Sequence, residues 1–189
     1  MSSILVCYGT GEGQTAKVAD RVADELEAHG HETTTMNVKE VGSDLGLDDF
    51  DAVLVGASIH AGRHQKAVRK WVQANRDALA RKPNGFFQVS LSSAEEESAE
   101  EAVGYVDELV EATNWHPDRI GLFGGALRFS QYGFLTRALM KRFARGAFPE
   151  GTVEESGDVE FTDWGDVEAF ADEFAAFVDE RVGEAVEAS

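Results

Sequence analysis

The chain is poor in cysteine, in proline, in basic residues and in long apolar runs, and each shortage excludes something. Its single cysteine, Cys7, forms no internal disulfide and leaves no Cys-based metal cage. Within the run Ile4-Leu5-Val6-Cys7-Tyr8 it reads as a small buried hydrophobe. With three prolines there is no Pro-rich linker. No apolar stretch approaches the roughly 18 residues of a transmembrane helix, and no basic-then-apolar leader is visible. The expectation is a cytoplasmic protein. Lys and Arg number 17 against 35 Asp and Glu, a formal net charge of −18. That excludes nucleic-acid binding, which needs a basic footprint. Lysine is the scarcer cation, 6 against 11 arginines. Acid excess with little lysine fits a halophilic cytoplasm, where counterions screen self-repulsion. An ordinary protein kept soluble by charge is the alternative.

What is present is enough for one domain: 189 residues, 43% hydrophobic. Short apolar runs alternate with helical spacing. Ser3–Tyr8, Glu32–Val38, Asp51–Ser58, Gly85–Leu91 and Arg119–Ala126 read as five strands. Gln14–His29, Lys66–Leu79, Glu97–Thr113 and Asp166–Val182 read as helices, the last capped by Thr162 or Asp163. Strands with near-continuous apolar content are buried on both faces. This predicts an α/β fold, a doubly wound five-stranded parallel sheet in the order 2-1-3-4-5. Residues 1–182 form a single domain, and 183–189 read as a flexible tail. Residues 127–163 break the rhythm and read as a long insertion after the fifth strand. From Ile120 to Pro149 there is no Asp or Glu, but there are Arg128, Arg137, Lys141, Arg142 and Arg145. That segment carries +5, and the remaining 12 positives against 35 negatives leave −23 elsewhere.

The first strand runs into Gly9-Thr10-Gly11-Glu12-Gly13-Gln14-Thr15, where a helix begins. Such a loop presents backbone N–H groups, hydroxyls and a positive dipole end to an anion. A Walker loop needs a lysine where Gln14 stands, and a dinucleotide fingerprint needs a third glycine there. A phosphate loop with hydroxyls at both ends and no cation fits Thr10 and Thr15; a glycine-rich turn with no ligand is the alternative. Ligands of such sheets bind beyond the carboxyl ends of the strands. That draws in Ser58, Ile59, His60 and Gly62 after the third strand, and Ser90, Leu91, Ser92 and Ser93 after the fourth. His60 and His64 are four apart but lack a third ligand; they read as surface histidines, and His29, His31 and His116 as solvated at turns. No metal site is expected, and no Ser-His-Asp or Cys-His set is evident.

The run Gly9–Thr15 is similar to the flavodoxin phosphate loop. Further along, Gly56-Ala-Ser-Ile59, Phe87-Gln-Val-Ser-Leu91, Pro117-Asp-Arg119, Gly124-Gly-Ala-Leu-Arg-Phe129, Leu139-Met-Lys141 and Phe161-Thr-Asp-Trp164 resemble the flavodoxin-like protoporphyrinogen dehydrogenase family. These are FMN proteins that oxidise protoporphyrinogen IX, a step towards haem, and pass electrons to a quinone such as menaquinone. The resemblance covers roughly Ile4 to Val178, and the long insertion is the family's hallmark. It implies a flavodoxin-like fold and FMN as cofactor, held by Gly9, Thr10, Gly11, Glu12, Gly13, Gln14 and Thr15, by Ser58, Ile59, His60 and Gly62, and by Ser90, Leu91 and Ser92. It implies no catalytic side chain, because the flavin carries the chemistry. Relatives can place an aromatic residue at the position of Ala61, which leaves His60 or His64 as ring-facing substitutes. Relatives can also have a basic stretch where Glu95-Glu96-Glu97 stands.

The insertion interleaves Phe129, Tyr132, Phe134, Leu135, Leu139, Met140, Phe143 and Phe148 with its five cations. Residues 128–148 suit a peripheral contact with the inner face of the cell membrane, where a quinone resides. Alternatively Arg128 and Arg137 bind the propionates of a tetrapyrrole substrate, or the segment covers the chain's own acidic surface. A homodimer is compatible with all of these. The competing functions are an electron-carrying flavodoxin with no substrate of its own and an FMN-dependent NAD(P)H:quinone reductase.

Overall fold

The computed structural model describes residues 1–40, 46–60, 62–91, 99–127 and 159–187. Strands β1 (Ser3–Gly9), β2 (Glu32–Asn37), β3 (Ala52–His60), β5 (Asn84–Ser90) and β6 (Arg119–Gly124) pair in parallel in the order β2-β1-β3-β5-β6. Counted without β4, this is the expected order 2-1-3-4-5. The extra strand is the two-residue β4 (Arg63–His64), antiparallel to the end of β3. It arises because Gly62 takes a left-handed φ of +73° and doubles the chain back.

Helices α1 (Gln14–Ala28), α2 (Lys66–Leu79), α3 (Ala99–Thr113) and α4 (Trp164–Glu187) cover the two faces. Side chains of a strand alternate between faces, and the buried residues divide accordingly. Ile4 and Val6 of β1, Leu54 of β3 and Phe87 of β5 pack with Val18 and Val22 of α1 and Phe170 and Phe174 of α4. Leu5 and Cys7, Val53 and Val55, and Phe86 pack with Val68 and Val72 of α2 and Val106 and Leu109 of α3. Cys7 is the buried hydrophobe expected, and burial pushes its thiol up to about 12.

Three expected element ends need correction. The fifth strand stops at Gly124 instead of running on to Ala126. Ala126–Leu127 form a separate strand, β7, antiparallel to β8 (Val159–Glu160). The break follows from close packing: a Cβ on Gly124 would lie 2.2 Å from the Phe161 carbonyl oxygen, and the Phe161 N–H donates to the Gly125 carbonyl at 2.9 Å. The last helix starts at Trp164, with Asp163 accepting from the Gly165 N–H at 2.9 Å and the Asp166 N–H at 3.3 Å. It then continues through 183–187, where a tail is expected.

His31 is buried, at 5% exposure, and not solvated. Gly30 (φ +85°) turns the chain back into β2, and the His31 N–H donates to the Leu26 carbonyl at 3.2 Å, which carries the ring inward. Burial holds its pKa below the usual range. His64 is likewise buried and not a surface histidine. His29 and His116 are exposed as expected, His29 within 2.7 Å of Asp172 on α4.

Candidate functional site

The carboxyl ends of β1, β3 and β5 open into a cleft of about 190 Å³. Its first wall is the loop between β1 and α1. A Cβ on Gly9 would lie 2.4 Å from Val68 and 2.6 Å from the Gln65 carboxamide, so only glycine lets β1 end here. The Thr10 hydroxyl accepts from the Gly13 N–H at 2.9 Å, which closes the turn. Gly13 sits at φ +92°, a left-handed conformation that costs an L side chain about 1 kcal/mol. Helix α1 then begins with no side-chain cap and no acidic residue in its first turn. Its positive end is not neutralised by a carboxylate of that turn.

Thr15 lies in that first turn and lines the cleft, only 1% exposed, and its hydroxyl has no hydrogen-bond partner among the described residues. A buried hydroxyl left unpaired costs roughly 1–3 kcal/mol. Such a group at a helix N-terminus beside a cleft suits an anionic ligand that supplies the missing partner. Gln14 also lines the cleft, but its Nε2 donates to the Thr162 hydroxyl at 2.7 Å, which in turn donates to the Gly124 carbonyl at 2.7 Å. Gln14 therefore ties the start of α1 to the end of β6.

The second wall is the end of β3. Ser58, Ile59 and His60 line the cleft, with His60 exposed at the rim. His64 does not reach it. Its Nε2 donates to Gln88 Oε1 at 2.9 Å, and Gln88 Nε2 donates to the Ala102 carbonyl at 2.9 Å. The ring packs edge-on to Phe86. Burial lowers its pKa to about 4, so it is neutral and structural, and His60 remains the histidine that can face a ligand. Ser90, Leu91, Val89, Gly125 and Ala126 complete the lining.

The structure thus gathers Thr10, Gly11, Glu12, Gln14, Thr15, Ser58, Ile59, His60, Ser90 and Leu91 around one cleft. Gly9, Gly13 and Gly62 do not line it; they shape the chain beside it. Ser92, Arg128 and Arg137 lie outside the described residues. Among the described residues no Lys or Arg lines the cleft, and none form a group of three or more metal ligands. An anion would be met by N–H groups, hydroxyls and the helix dipole. Sequence reasoning missed Gln65, Thr162, Gly125 and Ala126. The motifs around Gly124 and Phe161 pointed to the last three, but nothing local marks Gln65.

Among the described residues no helix is long and apolar enough to cross a membrane. Comparison with known proteins bears on the site as a whole. The Flavodoxin domain family matches residues 5–149. A curated relative from Escherichia coli (strain K12), named protoporphyrinogen IX dehydrogenase (quinone), is 28% identical over 176 residues, covering 93% of this chain and 96% of that protein. A Leishmania major protein of the same name is 28% identical over 174 residues, covering 91% and 74%. Among solved structures, a short-chain flavodoxin associated with a PDU bacterial microcompartment superposes with a TM-score of 0.57 at 14% identity, covering 94% of this chain and 99% of that one. A flavodoxin from the domain Archaea gives 0.51 at 12% identity, covering 94% and 99%. At such identity these structures speak for the fold alone.

Proposed function

The chain belongs to the flavodoxin domain family, and from that premise we propose that it binds FMN and dehydrogenates protoporphyrinogen IX to protoporphyrin IX with a quinone as electron acceptor. The observation that carries the cofactor is the buried, unpartnered Thr15 hydroxyl at the uncapped N-terminus of α1. Thr15 and the first-turn N–H groups of α1 would hold the phosphate without a cation, since no described Lys or Arg lines the cleft. Ser58, Ile59, His60, Ser90 and Leu91 would border the ring. FMN held there would supply the hydride acceptor and the electron link to the quinone.

The protein's own task is placement. The tetrapyrrole gives up a hydride and a proton at each dehydrogenation, and the quinone leaves as the quinol, so no side chain has to be consumed. The β7–β8 pair supports a substrate-binding enzyme over a bare electron carrier. Ala126 lines the cleft and pairs with Glu160, so the described residues on either side of 128–158 stand at the cleft's rim. In this reading Arg128 and Arg137 serve the substrate propionates, and residues 128–148 provide any membrane contact. The names of the relatives that span more than nine-tenths of this chain support the same substrate and acceptor.

Turnover decides between the readings. Purified protein loaded with FMN and given protoporphyrinogen anaerobically with a menaquinone analogue should raise porphyrin fluorescence above the enzyme-free rate. No increase overturns the enzyme and leaves the electron carrier. Bleaching of the flavin by NAD(P)H, with no porphyrin formed, would instead establish the nicotinamide-fed quinone reductase.

A further inference from the structure

One side chain touches three parts of the cleft wall without lining the cleft. Gln65 stands at the N-cap of α2, yet it makes no capping hydrogen bond to its own helix. Its carboxamide turns back towards β1 and β3. With the amide oriented so that its nitrogen meets an acceptor and its oxygen meets donors, an assignment made from its neighbours, Nε2 donates to the Gly9 carbonyl at 3.0 Å, and Oε1 accepts from the Gly11 N–H at 3.1 Å and from the Ser58 hydroxyl at 2.7 Å. Gly9 and Gly11 bracket Thr10 in the phosphate loop, and Ser58 belongs to the wall across from it. A single planar group thus fixes both ends of one turn and joins it to the second wall.

We propose that Gln65 is the positioning residue of the site: it holds the β1–α1 loop and the Ser58 segment in one arrangement, and so gives the cleft its preference for a phosphorylated flavin over riboflavin. The preference rests on the FMN reading above. A carboxamide suits the position because its donor and its acceptor are both needed. The Gly9 carbonyl requires a donor, and the Gly11 N–H requires an acceptor. Without these bonds the turn before α1 keeps its Thr10–Gly13 contact but loses its tie to the Ser58 segment. The loop would still form, but the N–H groups and hydroxyls offered to a phosphate would no longer be preorganised. Riboflavin makes no use of a phosphate site and should respond little.

Gln65→Met keeps the length and removes the hydrogen bonds. In the flavin-free chain the Gly11 amide should exchange slowly in the wild type and at least about tenfold faster in the variant, as the loss of one hydrogen bond allows. Flavin titration followed by fluorescence quenching should show FMN affinity falling about tenfold and riboflavin affinity falling less than about threefold. Gln65→Glu adds a signature that packing alone would not produce. As a carboxylate it opposes the Gly9 carbonyl, whereas the neutral acid donates to Gly9 and accepts from Gly11 and Ser58. Its FMN deficit relative to wild type should therefore shrink as the pH falls from about 8 to about 5. Equal Gly11 exchange in wild type and Gln65→Met overturns the positioning role whether or not flavin binds. FMN affinity within twofold of wild type, or equal losses for both flavins, overturns the assigned preference. A wild-type chain that binds neither flavin overturns the FMN reading itself, and the exchange result then stands on its own.

Discussion

At Thr15 the burial of a hydroxyl and the absence of a partner for it among the described residues coincide. Stability and binding are then set against each other at a single atom. Valine has threonine's shape without the hydroxyl, so Thr15→Val relieves an unpaired polar group in the free protein and deletes a phosphate contact in the loaded one. The flavin-free melting temperature should hold or rise, while FMN affinity falls tenfold or more. A variant that loses stability yet keeps its FMN affinity would make Thr15 a packing residue. Glycine illustrates the same scale. The loop's abundance of glycine is plain in the sequence, but Gly9 answers to Val68 and Gln65, and Gly13 to its own left-handed φ. Composition alone assigns all of them to the ligand.

At the scale of elements, the strands and helices with long apolar periodicity are legible, and the shorter ones are not. Helix α2 occupies the predicted Lys66–Leu79, because Val68, Val72 and Leu79 carry a clear stripe. Strand β4 has two residues and no stripe; it exists because the chain reverses at Gly62 and meets Ile59 and His60. That reversal carries His64 into a buried network joining β4, β5 and α3 through Gln88 and Ala102. A testable pH dependence follows. The folded state holds His64 neutral with a pKa of about 4 against 6.5 in the open chain, so the unfolded state takes up the proton more readily. The stabilisation is complete above pH 6.5 and is lost as the pH falls towards 4. Between pH 7.5 and pH 5 the wild type should lose on the order of 2 kcal/mol more than His64→Gln, measured by urea unfolding. Equal losses would remove His64 from the titration.

Charge is a property of the whole molecule. The acid excess sits outside 120–149, where the local balance is +5 against −23 for the rest. Among the described residues few acids meet a cation: Arg21 bridges to Glu168 and Glu25, Lys17 to Glu160, and Arg76 to Asp77. Exposed pairs of this kind contribute about 1 kcal/mol or less. Self-repulsion should therefore dominate the salt response. The flavin-free melting temperature should climb with KCl, most steeply below about 0.5 M, where the screening length contracts fastest. A flat or falling curve would detach the acidic surface from salt adaptation.

The alternation of strands and helices, the burial of Cys7, the glycine-rich loop at the start of α1 and the sign of the surface charge are all determined by the sequence itself. Each depends on neighbours along the chain: apolar spacing, turn residues, or a count of charges. The tertiary structure decided which distant residues meet. It set Gln65 between Gly9, Gly11 and Ser58, tied Gln14 to Thr162, buried His31 and His64, and left the Thr15 hydroxyl buried with no partner among the described residues. Those contacts exist because β1 lies between β2 and β3, and because the chain returns through β8 and α4 beside β6. Adjacency of that kind comes from packing apolar faces around one sheet, and no local pattern encodes it.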